Sequence, residues 1–117
     1  MNKYAAIGLI REAIKGRCIV VVTGLVVETT AALDEFASLL ENAPEVSRIS
    51  RSNGAESVRF DGGGRIELRT QPVAVRGLAA DVIYLDSGIA HQITYDEIRA
   101  HLMPALATSE RGEIVRA

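Results

Sequence analysis

Asp86 is the residue of this chain best placed to do chemistry. It closes the apolar run Val82–Leu85 and is followed by Ser87 and Gly88. A strand that ends in an aspartate presents a carboxylate at its tip, the position from which nucleotide hydrolases hold Mg²⁺. Such chemistry also needs a group that handles the attacking water and a loop that cradles phosphates. In those enzymes a glutamate usually follows the aspartate. Here Ser87 follows, and serine is no base at neutral pH without an activating partner. The 117 residues contain no GxxxxGK[ST] phosphate loop. Without a phosphate to share the ion, Asp86 would bind Mg²⁺ weakly; its plainer role is to hold a loop through hydrogen bonds.

Arg76 and Gly77 precede the acidic strand, in a loop that would either lie near nucleotide or DNA or be a solvated turn set by Gly77. Arg48, Arg51, Arg59, Arg65, Arg69 and Arg76 share one span with only Glu56, Asp61 and Glu67 as acids, a local excess of +3. Arg59, Arg65 and Arg69 would form a basic patch for DNA or an acidic partner. Strand alternation, however, would divide the arginines between two faces of a solvated sheet edge. His91 and His101 lack the neighbours of a metal site. Cys18 opens an apolar strand and reads as an inert core thiol. Ser87 with His91 and Asp86 lacks the G-x-S-x-G elbow of a hydrolase. The glycines of DGGGR lie between alternating strands and so read as a hairpin turn, not a phosphate cradle.

The elements that must carry these residues follow from periodicity. Residues 3–15 space Tyr4, Ile7, Ile10 and Ile14 as one helix face, stopped at Gly16. Cys18–Gly24 is a β-branched run, expected as a strand buried on both faces. A helix follows, capped by Thr29 or Thr30, with Leu33, Phe36, Leu39 and Leu40 facing inward and Pro44 ending it. Alternating residues flank the turn at 61–64 as a hairpin. The strand ending at Asp86 comes next. A helix over 94–106 follows, with Thr94 as cap and Pro104 bending or ending it, and then a last strand at 112–117. Strands alternating with helices predict a mostly parallel sheet with helices on both faces.

Bulk properties agree with one cytoplasmic domain. The chain is 48% hydrophobic and 24% charged, ordinary for a globular protein able to bury a core unaided. Its net charge of −2 argues against a general nucleic-acid coat. One cysteine permits no internal disulfide and suits a reducing compartment. No apolar stretch reaches the roughly 20 residues that cross a bilayer.

The order of these motifs is similar to the middle of the RecA-like ATPase domain of phage large terminase subunits, relatives of the helicases. AIKGRCIVVVTG followed by AALDEFASLL resembles the helix behind the phosphate loop, its strand and the next helix. GGGRIELRTQPVAVRGLAADVIYLDSG resembles the hairpin, the Arg-Gly-Leu loop, the Ala-Asp pair and the acidic strand. LMPALATSERGEIV is similar to the helix, loop and strand beyond it. RGLAADVIYLD is the most specific part.

The resemblance implies a three-layer α/β/α fold of the P-loop NTPase type, one truncated domain over 1–117, with an inserted hairpin. Its first, P-loop strand would be missing, which leaves a sheet edge open. Lys3 and Tyr4 stand where the loop's lysine and hydroxyl belong. Asp86 and Ser87 become a degenerate acidic motif. The function this implies is that of a non-catalytic, phage-encoded domain without cofactor. It would bind a host or phage protein, or a second copy of itself through the sheet edge, in the bacterial cytoplasm. Two alternatives stand beside it. One is an ATPase completed by a partner's phosphate loop, using ATP and Mg²⁺. The other is a small DNA-binding accessory protein using the arginine-rich hairpin.

Overall fold

The computed structural model describes residues 1–117. Helix α1 (Lys3–Ile14) starts where the Asn2 side chain accepts the amides of Tyr4 and Ala5, and stops at Gly16, whose φ is +98°. Strand β1 (Cys18–Thr23) leads into α2 (Val26–Leu39), and then come β2 (Val46–Ser50), β3 (Ser57–Phe60) and β4 (Arg65–Thr70). A 3₁₀ turn over Pro72–Val75 precedes β5 (Val82–Leu85), followed by a single turn α3 (Ser87–Ala90) and, at the end, β6 (Glu113–Arg116).

The six strands form one sheet in the order β2-β3-β4-β1-β5-β6. Strands β4, β1, β5 and β6 run parallel, while β3 and β2 extend the sheet as an antiparallel hairpin. Because β1 sits in the middle, its side chains are buried on both faces, as its unbroken β-branched run requires. Ile19 and Val21 join α1, α2, Phe36, Ile66 and Leu68 on one face. Val20 and Val22 join Ile83, Leu85, Leu102 and Ala105 on the other.

Three local expectations need correction. First, α2 begins at Val26, before Thr29, because Glu28 reaches back to accept the amides of Gly24 and Leu25. Thr29 is instead buried in a hydroxyl chain, 2.6 Å from both Thr23 and Thr70. Second, α2 ends at Leu39, ahead of Pro44. Third, residues 94–106 are not one α-helix. Thr94 does cap the start, accepting from Glu97 N–H at 3.1 Å. The turn Tyr95–Glu97 then widens to a π-helix over Ile98–Leu102 and tightens to a 3₁₀ turn over Met103–Leu106. Pro104 is the cause: it has no amide to donate and its ring crowds the carbonyl one turn back.

Asp81 ties the sheet's lower end together. Its carboxylate accepts from Cys18 N–H at 2.9 Å and from the Ser109 hydroxyl at 2.8 Å. These bonds, the backbone one foremost, hold its carboxyl below the ordinary value of 3.8. A depressed folded-state pKa means that the stability it lends is complete above about pH 4 and is lost as pH falls through the lower folded value. Asp81→Asn is therefore expected to flatten the fall in melting temperature below about pH 4, read by melts across that range against the parent chain.

Candidate functional site

Asp86 stands at the C-terminal tip of β5 and is buried. Its amide donates to Val22 O at 3.0 Å, and its carbonyl accepts from Ile89 and Ala90, so the backbone turns at once into α3. Its carboxylate does not cap that helix. Burial raises the Tyr84 phenol above its ordinary value, and the Asp86 charge adds to the rise. Ser87 is exposed at the first position of α3. Glu28, which pattern reasoning did not single out, lies across Gly88 from this tip. Its carboxylate is committed to the start of α2. Glu28 follows Leu25 by three residues, the spacing from which an acid reaches back to a helix's first amide, and that was its available signal.

A Mg²⁺–nucleotide would draw on the carboxylates at this tip. Magnesium takes near-octahedral oxygen coordination from carboxylates, water and phosphates. Nowhere do three His, Cys, Asp or Glu side chains gather to hold an ion. Asp86 supplies one carboxylate at this tip, where a Mg²⁺ shared with phosphates would take one or two.

The remaining candidates separate in space. Arg76 and Gly77, the latter at φ +87°, line a cavity of about 380 Å³ with His101, Pro104 and Thr108. His101 Nδ1 is buried there without a hydrogen-bond partner. This cavity lies beside the loop that enters β5, away from Asp86 at its exit. Arg59, Arg65 and Arg69, which alternation was expected to divide, share one face. Arg59 is opposite Arg65 across β3 and β4, and all three surround the buried Glu67. Cys18 donates its thiol to Ala79 O at 2.9 Å, and burial pushes its pKa up, as suits an unreactive thiol.

The last feature is the sheet's edge. Strand β6 pairs with β5 through Val82/Glu113 to Leu85/Arg116, and no strand lies on its other side. Glu113 N–H donates to Asp81 O and Ala117 N–H to Leu85 O. By the alternation of a parallel ladder, Ile114 and Arg116 turn their amides and carbonyls outward. Beside this edge, α1 and the sheet leave a cavity of about 280 Å³ walled by Ala5, Gly8, Leu9, Val82, Tyr84 and Val115.

A parallel core with helices on both faces, an antiparallel hairpin on one side and an aspartate at a strand's exit define the RecA-like α/β class. Within that class the architecture is that of phage large-terminase ATPase domains. The HK97 bacteriophage large terminase superposes with a TM-score of 0.70 at 15% identity, over 96% of this chain and 25% of its own. The large terminase ATPase domain of Thermus phage P74-26 superposes with 0.65 at 16% identity, over 97% of this chain and 53% of its own. The chain thus spans a quarter to about half of these proteins, and the likeness is one of fold. No family model matches the sequence, and no curated protein does. No helix is long and apolar enough to cross a membrane.

Proposed function

We propose that this chain is a binding module on the terminase ATPase architecture, of phage origin and at work in the bacterial cytoplasm. It takes a β-strand from a protein partner at the open edge of β6 and does not turn over nucleotide. The partner is a host or phage protein, or a second copy of the chain. The observation that carries this reading is the unpaired edge itself. Outward amides and carbonyls of a parallel strand are a template for strand addition, and the cavity beside them, apolar but for Glu12 and Glu113, takes the added strand's side chains. Ser87 supports the non-hydrolytic half, since the residue after Asp86 carries no carboxylate to handle water.

Ile114→Pro tests the edge. It removes an outward amide while the β5 ladder keeps its bonds from 113, 115 and 117. The expected result is loss of partner capture, and of any concentration-dependent dimer in sedimentation, while Ile114→Ala, which trims the same side chain from the second core but keeps the amide, retains both. Capture that survives Ile114→Pro would rule out the β6 edge.

The non-hydrolytic half is tested separately with ATP and Mg²⁺. A ligand at 100 times its dissociation constant adds about 2.7 kcal/mol, a shift of several degrees in a domain of this size. No shift and no phosphate release are expected. A shift lost in Asp86→Ala would favour the partner-completed ATPase instead, because the Asp86 carboxylate is left uncommitted to α3.

A further inference from the structure

The face of the sheet opposite α1 and α2 is covered on one half only. Residues of the 3₁₀ turn at 72–75, α3 and the 98–106 segment pack over β1, β5 and β6. Over β2, β3 and β4 the same face carries two rows of side chains in direct register. One row is Arg48, Arg59 and Arg65, and the other is Ser50, Ser57 and Glu67. Neighbouring strands are about 4.8 Å apart, so three guanidinium stems stand side by side. Like charges directly opposite destabilise a sheet. Glu67 is the one carboxylate that pairs with this face, at 3.6 Å from Arg59, 3.4 Å from Arg65 and 2.9 Å from Arg69. Arg59 is 55% exposed, and Arg48 is exposed and makes no ion pair. The face therefore holds more guanidinium than the molecule itself neutralises.

We propose that this open half-face docks an acidic protein segment, whose carboxylates engage Arg48, Arg59 and Arg65. The guanidinium fork takes a carboxylate bidentately, and Glu67, at the inner end of the neighbouring row, shows a carboxylate held among arginines of this face. Strand β2 is the outer strand, and its far side is unpaired. A segment that crosses β2, β3 and β4 over this face would bring its carboxylates past Arg48, Arg59 and Arg65 in turn. One observation favours a carboxylate partner over a nucleic acid: the two rows offer only Arg, Ser and Glu, with no aromatic ring on which a base would stack. This surface is distinct from the β6 edge, so either can fail without the other.

The test is fluorescence anisotropy of a labelled oligoglutamate peptide against the intact chain, beside a DNA oligonucleotide of equal charge, at low and physiological salt. Saturable, salt-weakened binding of the peptide is expected, tighter than that of the DNA. Arg48→Ala with Arg59→Ala should weaken it on the order of tenfold. Arg48→Glu, at an exposed site without an ion pair, should weaken it comparably and leave the melting temperature unchanged. Arg48→Lys with Arg59→Lys should recover only part, because lysine lacks the planar fork. No peptide binding at millimolar concentration, binding indifferent to Arg48→Glu, or tighter binding of the DNA would each overturn the proposal.

Discussion

Replacing Gly64 with alanine will lower the melting temperature by about 10 °C or more. The turn Asp61–Gly64 between β3 and β4 lies with its backbone against the end of α1. A Cβ on Gly64 would overlap the carbonyl oxygen of Ala13, stand 2.8 Å from that carbonyl's carbon and 3.1 Å from Arg17 O. Neither neighbour is a flexible side chain. Ala13 is buried in the last turn of α1, and Arg17 O already accepts from Arg65 N–H. Relief requires that the hairpin and the helix part, which costs about 3 kcal/mol or more, as overpacking against backbone does. Each kcal/mol is worth roughly 3–6 °C at this chain length. Gly63→Ala is the control. Gly63 has φ +90°, but a Cβ there meets nothing within 4 Å. Its cost is the left-handed backbone alone, about 1–2 kcal/mol. Equal melting temperatures for the two variants would contradict the packing of the hairpin on α1.

Glu67→Gln is expected to destabilise the fold by about 2–4 kcal/mol, measured by denaturant or thermal unfolding. The substitution keeps the shape and removes the charge. Glu67 is 7% exposed, and the Arg69 side chain against it is 12% exposed. The Arg69 guanidinium would keep its bonds to the Leu68 and Glu56 carbonyls but lose the opposite charge that offsets its desolvation. Arg59, more than half exposed, keeps water and contributes little. Arg69→Met in the Glu67→Gln background should restore part of the loss, because the uncompensated charge goes with the arginine. A coupling near zero in that double-mutant cycle would mean that the two do not depend on each other. The same pair bears on the arginine face, since Glu67 lies in the neighbouring row and pairs with Arg59 and Arg65.

Several elements were legible because their determinants are local. The β-branched run from Cys18, the pause at Gly16, the glycine turn at 61–64 and the Thr94 cap with Glu97 each act within a few residues. The parallel class followed from the order of those elements, and the resemblance carried by RGLAADVIYLD agrees with the observed fold. Misreadings fell where local preferences compete. Thr29 and Thr30 are good caps, yet Glu28 captures the amides of Gly24 and Leu25 and starts α2 earlier. Pro104 was recognised as a breaker, but whether a segment kinks, widens or tightens there depends on what packs around it. Leu102 and Ala105 are held in the second core, so the chain accommodates the proline by changing its turn.

The amino-acid sequence by itself determined the strands that start at Cys18 and end at Asp86, the helix that stops at Gly16 and the hairpin turn at 61–64, and that Ser87 follows Asp86. Side-chain periodicity, turn chemistry and residue identity are properties of the chain before it folds. Only the tertiary structure decided the register that sets Arg48, Arg59 and Arg65 in one row around Glu67. It also decided that Arg76 and His101 line one cavity that Asp86 does not share, and that β6 ends the sheet with one side unpaired. Strand pairing joins residues distant in the chain, and a shift of one position would turn every arginine to the other face. No local preference chooses that register; the shared burial of the two cores does.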